Sequence, residues 1–337
     1  WTESTEYLAQ VGVLRNRSDY RSEWLSEYHK GVARMLSELK YGFDIIDETM
    51  DFSTYEVLIL PDAIEVTKNM AEKISVFIKN GGRVLSSGKS GLSSDGKSFS
   101  MLEWDFISVR GQTDSRACYY RTAEPVCKEI NTAWATYAPG ILMDVKKSGT
   151  ALAHLSENYF SDVWDKHYFD VTWGGTSDLY SSHLYYYIPP KEEVCGSAAA
   201  FDGRVCHISF EIFCAYYNYA AVFHKELVSY ILKQMLKEPL IKAEALPSTS
   251  RASLCRGEKY DLLHVKATYP QSRGPYFHII EEHNTLPAGT EISVKGKYKS
   301  VRLLPEEKEI GRIYQDGYTT ISLPEIRGYA MFQLIKG

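Results

Sequence analysis

Apolar and polar positions alternate with two different periods in the two parts of this chain. Over residues 24–39, Leu25, Tyr28, Val32, Met35, Leu36 and Leu39 recur at helical spacing, and Gly42 follows as a stop. Short apolar runs at 11–14, 43–46, 57–60 and 83–86 read as buried strands. A helix with a Lys/Glu face lies between the last two of these, and Gly81-Gly82 returns the chain to the second. Strands alternating with helices at this pitch predict βαβ units and a parallel sheet. Its binding loops would lie beyond the carboxyl ends of the strands, near Asn16, Asp47, Asp62 and Gly88.

From Asp95 to Pro190 the pattern is irregular, with one further strand expected at 150–155. Runs at 198–201 and 204–210 flank Asp202-Gly203, a hairpin signal, and 219–236 predicts one helix ending before Pro239. Pro247-Ser-Thr-Ser250 marks a crossing into a different regime. Beyond it the period falls to two: Leu263, Val265 and Ala267 share a face, and Asp316-Gly317 joins two strands in a tight turn. About seven short strands predict a small antiparallel β-sandwich. The expected fold is therefore an open, mainly parallel flavodoxin- or amidotransferase-like α/β sheet with helices on both faces, over residues 1–240, then a sandwich over 241–337.

The turn after the fourth strand decides much of the chemistry. In amidotransferases and related hydrolases this turn holds the nucleophile, whereas here it reads Ser86-Ser87-Gly88-Lys89-Ser90, without Cys. A phosphate loop would need Gly where Arg83 stands, and a G-x-S-x-G elbow would need Gly where Leu92 stands. The turn reads as structural, with Lys89 and Ser90 available to a sugar hydroxyl.

Composition narrows the rest. A net charge of −5 gives no basic footprint, which argues against nucleic acid, and no apolar run approaches a membrane span of about 20 residues. The chain reads as a soluble piece of a longer protein, its compartment open between cytoplasm and periplasm. The six cysteines lack C-x-x-C spacing and read as buried thiols. His154, His167 and His183 lie near several acids without any zinc spacing, so neither metal nor cofactor is expected. Asn16-Arg17-Ser18 matches a glycosylation sequon but lies in a predicted strand loop. Glu157 and Glu211 each follow a predicted strand, and a pair of carboxylates flanking a glycosidic bond would be a hydrolase site. Tyr159, Phe160, Trp164, Tyr168, Phe169 and Trp173 form an aromatic group suited to sugar rings or to a buried interface.

The order of these pieces resembles the non-barrel, C-terminal part of bacterial proteins related to family 42 glycoside hydrolases. There an amidotransferase-like β-galactosidase trimerisation domain and a terminal β-sandwich follow a TIM barrel. The resemblance is carried by residues 55–62 (YEVLILPD), 77–84 (FIKNGGRV), the loop 90–96, Asn158-Tyr-Phe160 with Trp164, and Glu238-Pro-Leu240 leading to Leu246-Pro-Ser-Thr249. A barrel needs about 250 residues, for which this chain leaves no room. The resemblance implies a region without catalysis of its own in a glycoside hydrolase parent, assembling as a homo-oligomer against a missing barrel. Arg17, Asp62, Lys89, Ser90, Glu157, Tyr159, Trp164, His167, Trp173 and Glu211 are its candidate sugar or interface contacts. The rival expectation is a stand-alone glycoside hydrolase, or a sugar-binding protein, with its site at the carboxyl end of the sheet.

Overall fold

A computed structural model describes residues 1–16, 26–113, 118–124, 126, 132–158, 190–267, 271–273, 277–279 and 284–337. Its contacts divide it into two compact units, residues 12–32 with 45–235, and residues 1–11 with 33–44 and 236–337.

The first unit is built on a nine-stranded sheet. In chain order its strands are β1 (Val11–Leu14), β2 (Phe43–Ile46), β3 (Val57–Leu60), β4 (Arg83–Ser87), β5 (Tyr119–Thr122), β6 (Trp134–Ala135), β7 (Thr150–Ser156), β8 (Gly196–Phe201) and β9 (Val205–Ile208). They lie side by side as β2-β1-β3-β4-β9-β8-β7-β5-β6. Strand β4 runs parallel to both β3 and β9. From β9 outward every ladder is antiparallel.

This corrects the expected fold. The sheet is mixed rather than mainly parallel, and the described residues contain only four α-helices: α1 (Glu27–Glu38), α2 (Lys68–Lys79), α3 (Ile212–Tyr219) and α4 (Val222–Met235). The reason lies in the connections. Parallel neighbours require a crossover, usually helical, whereas antiparallel neighbours can be joined by a two-residue turn. Asp202-Gly203 supplies such a turn between β8 and β9, with Gly203 at φ 96° and the Asp202 carboxylate accepting from the Arg204 and Val205 amides. Part of the covering role expected of helices falls to an antiparallel ribbon, Ile107–Gln112 with Ile141–Val145. Its Ile107 and Met143 join Trp104, Leu58, Leu60, Val84 and the buried stripe of α2 in one apolar core.

Helix α2 follows directly from its sequence. The Thr67 hydroxyl accepts from the Met70 amide and satisfies a free donor of the first turn. Met70, Ile74, Phe77 and Ile78 recur every three or four residues and are buried. The predicted helix over 219–236 is α4, and an unexpected helix, α3, precedes it, ended by Ala220 with a left-handed φ of 51°. Helix α1 passes so close to α3 that a Cβ on Gly31 would stand 1.9 Å from the Phe213 carbonyl oxygen.

The second unit contains two antiparallel sheets. A six-stranded sheet runs from Thr5–Tyr7 through Ser250–Gly257, Tyr260–Ala267, Tyr329–Lys336 and Tyr298–Leu304 to Lys308–Ile310. A four-stranded sheet holds Ile241–Lys242, Glu291–Lys295, Tyr318–Ser322 and Arg312–Gln315. Leu263, Val265, Val301 and Phe332 of the larger sheet share one core with Ile292, Val294 and Ile321 of the smaller. The predicted strand over 310–314 is interrupted at Gly311, giving two short strands on different sheets. No helix among the described residues is long and apolar enough to cross a membrane.

Candidate functional site

Strands β3, β4 and β9 end side by side, and the turns that follow them converge. Asp62 ends the β3 segment with φ 51° and is almost fully buried. Its carboxylate accepts from the Ser87 hydroxyl at 2.6 Å, from the Cys214 amide at 2.7 Å and from the Phe213 amide at 3.3 Å. Its own amide donates back to Ser87 Oγ at 2.9 Å. The side chain thus closes the open amides of the first turn of α3, the role of an N-cap supplied from a distant strand. Burial pushes this carboxyl up to about 7, against the lowering effect of the Ser87, Cys214 and Phe213 donors.

The elbow after β4 wraps around this carboxyl group. Lys89 N–H donates to the Asp62 carbonyl at 2.6 Å, and Ser90 Oγ accepts from the Ile64 amide at 3.0 Å. Gly88 is buried with φ 55°, and a Cβ there would meet the Asp62 oxygen at 2.7 Å and Glu211 Cγ at 3.0 Å. Glycine is the residue that adopts such a φ without steric cost. The position where a hydrolase elbow would project its attacking atom therefore carries no side chain. Ser90 faces inward as a backbone acceptor and is fully buried.

Around the elbow lies a polar rim. Lys89 Nζ stands 3.7 Å from Glu211 Oε1, with the lysine well exposed. On α3, Cys214 Sγ lies 3.3 Å from Glu27 Oε2, which also accepts from Asn218 Nδ2 at 3.1 Å. Burial, followed by the Glu27 hydrogen bond, pushes the Cys214 thiol up to about 12, so it stays protonated rather than becoming a nucleophilic thiolate. Beneath the elbow, Ser86 Oγ accepts from Trp104 Nε1 at 3.0 Å and lies 2.8 Å from His207 Nδ1. This His207 is fully buried, and desolvation pushes it down to about 3, leaving a neutral imidazole.

Sequence-predicted contacts fall into three groups. Asp62, Lys89, Ser90 and Glu211 meet at the elbow. Glu157 stands at the carboxyl end of β7 and is paired with Lys191 at 3.0 Å. Strand β8 separates β7 from β9, so Glu157 and Glu211 share one edge of the sheet but sit in separate ion pairs. Arg17, Tyr159, Trp164, His167 and Trp173 lie outside the described residues, as do the other aromatics expected near them. Glu27, Cys214 and Asn218 were missed by sequence reasoning. The i, i+4 spacing of Cys214 and Asn218 on α3 was the available signal, and the partner Glu27 is remote in sequence. Five cysteines are described, all free, with Cys118 and Cys206 buried and the others part-buried. Among the described residues no group of three His, Cys, Asp or Glu side chains is placed to hold a metal ion.

Comparison with known proteins gives this geometry a family context. Residues 8–100, which span β1 to the elbow, match the beta-galactosidase trimerisation domain of family 42 glycoside hydrolases. No curated protein matches the chain in sequence. Among solved structures, alpha-L-fucosidase isoenzyme 2 from Paenibacillus thiaminolyticus superposes with a TM-score of 0.85 at 24% identity, covering 100% of this chain and 50% of that one. The beta-galactosidase from Bacillus circulans sp. alkalophilus gives 0.56 at 13% identity, over 98% of this chain and 42% of its own. The cold-adapted beta-galactosidase from Rahnella sp. R3 gives 0.57 at 12% identity, over 98% and 42%. The chain resembles part of family 42-related glycoside hydrolases, and it spans half or less of the length of these relatives.

Proposed function

We propose that this chain is the accessory region of a carbohydrate-active, glycoside hydrolase-like protein. In this reading it mediates homo-oligomer formation and offers the elbow rim to a sugar cleft completed by a catalytic barrel elsewhere in the same polypeptide. The observation that carries the reading is the closed elbow: Gly88 offers no attacking atom, and the space a side chain would need is occupied by Asp62 and Glu211. Two neighbouring groups that could have served as base or nucleophile are held out of those roles, His207 enclosed and made too weak a base by burial, Cys214 protonated. The exposed Lys89–Glu211 pair supplies polar contacts of the kind that hydroxyl groups accept and donate to. The match over residues 8–100 supports the oligomer, and the glycosidase relatives support the sugar setting.

The test is an assay of the purified chain on aryl β-galactosides and aryl α-L-fucosides, with light scattering for its mass in solution. The chain alone is expected to show no turnover above buffer and a mass of two or more copies. Turnover that is abolished in Glu157→Gln or Glu211→Gln would replace this reading with that of a stand-alone hydrolase, since both carboxylates stand at the same end of the sheet. A monomer at all concentrations would remove the oligomerising role.

A further inference from the structure

At the opposite ends of β3 and β4, where these strands begin, a cleft of about 340 Å³ opens between α2 and the loop over residues 51–55. Small-ligand sites start at about 300 Å³. The wall comes from one stripe of α2. Asn69, Lys73, Val76 and the C-cap Asn80 succeed one another at the three- and four-residue steps that share a helix face, with Glu72 beside Lys73. The rings of Phe52 and Phe77 form the apolar floor. Gly82 lets the Phe77 ring lie where it does, since a Cβ there would meet ring atoms at 2.4 Å.

The groups around this space select one chemistry. Lys73, its cation, is committed: Nζ donates to the Glu48 and Met50 carbonyls at 2.6 and 2.7 Å and sits 4.9 Å above the Phe52 ring. The Asp51 carboxylate is held ionised by the Ser53 hydroxyl and amide, and Glu72 adds a second acidic side chain. Two carboxylates with no uncommitted cation disfavour a phosphate, a sulfate or a carboxylic acid. A wholly apolar ligand fails too, because it would desolvate the Asn69 and Asn80 amides and Glu72, which have no partner among the described residues. A cation gains little, because Asp51 and Glu72 are both exposed and water screens their pull. An uncharged molecule with hydroxyls along one edge and C–H groups on a face engages the amides and the apolar wall together. We infer that the cleft between α2 and residues 51–55 is a binding site for a neutral saccharide, its hydroxyls on Asn69, Glu72 and Asn80 and its C–H face against the exposed Val76.

This site is separate from the elbow and requires no catalytic domain, so it stands or falls independently of the role proposed above. The test is saturation-transfer NMR on this 337-residue chain with glucose, galactose, fucose and N-acetylglucosamine as probes, putrescine as a cationic probe, and inorganic phosphate followed by phosphorus line width. At least one sugar is expected to receive saturation on its ring C–H protons, with a Kd on the order of 1 mM. Asn69→Ala and Glu72→Ala, at exposed helix positions, should each weaken it about tenfold with the melting curve unchanged. Val76→Trp, which fills the cleft, should abolish it, and Arg327→Ala, an exposed change in the antiparallel unit, should leave it unaltered. Silence from all four sugars overturns the inference. So does binding that survives Val76→Trp, or binding of phosphate or putrescine that is lost in that variant.

Discussion

The two units handle buried polarity in opposite ways. In the antiparallel unit the shared core is aliphatic and aromatic, and polar side chains such as Asp261 and Thr319 are tied down by Tyr298 and Gly296. In the mixed-sheet unit, Asp62, Ser86, Ser87, Ser90 and His207 are buried together at the ends of three adjacent strands. A core of the first kind needs only volume and pattern to be satisfied, whereas one of the second kind needs every hydrogen bond in place. The difference teaches where to look for function: in the unit that retains costly groups at strand ends, not in the one that is merely well packed.

The contrast can be broken by substitution. The largest effect is expected from Gly31→Ala. In an exposed helix this change would stabilise by about 1 kcal/mol, but here the new methyl collides with the Phe213 carbonyl. The expected loss is more than about 4 kcal/mol, seen as failure to give a cooperative thermal melt. Phe332→Ala, in the antiparallel unit, should cost about 3–5 kcal/mol through the cavity it leaves. Chemical denaturation would register that cost as a lower midpoint with little dependence on pH.

Asp62→Asn comes next, at about 1–3 kcal/mol, because one amide hydrogen must face groups that now donate to a carboxylate. Its signature is pH. The folded Asp62 keeps its proton up to about 7 and the unfolded one only to 3.8, so the folded state binds more protons between these values. Stability from this group therefore falls as pH rises through that window, and the Asn variant should lose the fall. His207 and His224 run the other way: pushed from 6.5 to about 3 by burial, they subtract stability as pH drops below about 6.5. Parallel stability-versus-pH curves for wild type and Asp62→Asn would contradict the assignment. The smallest effect belongs to Lys89→Ala, whose exposed ion pair is worth less than about 0.5 kcal/mol, so any loss of sugar or partner binding in that variant reports contact, not folding.

Individual elements were legible in the sequence, and their assembly was less so. Strand β3 coincides with the predicted run over 57–60, because four consecutive apolar residues before Pro-Asp leave little else to form. Helix α2 was marked by spacing and by the Gly-Gly stop. The Asp202-Gly203 signal marked the antiparallel β8–β9 pair, but the direction of the ladders beyond β8 was not readable, since a buried strand has the same pattern whichever way its neighbour runs. Helix α3 was also hidden: Glu211 before it makes no side-chain cap, and Ala220, which ends it with φ 51°, is neither Gly nor Pro. At the site, sequence placed Asp62, Lys89 and Ser90 at strand ends. It could not reveal that Asp62 caps a helix some 150 residues further along, because the donors at 213 and 214 are ordinary backbone amides.

The discontinuity of the second unit has a consequence for biosynthesis. Thr5–Tyr7 pairs with Ser250–Gly257, and residues 33–44 belong to the same compact body as 236–337. Thr5–Tyr7 therefore has no partner strand until the chain has been translated beyond residue 257. Meanwhile Tyr7 and the edge it belongs to are open to chaperones, so the speed of elongation across the intervening stretch bears directly on the yield of native protein.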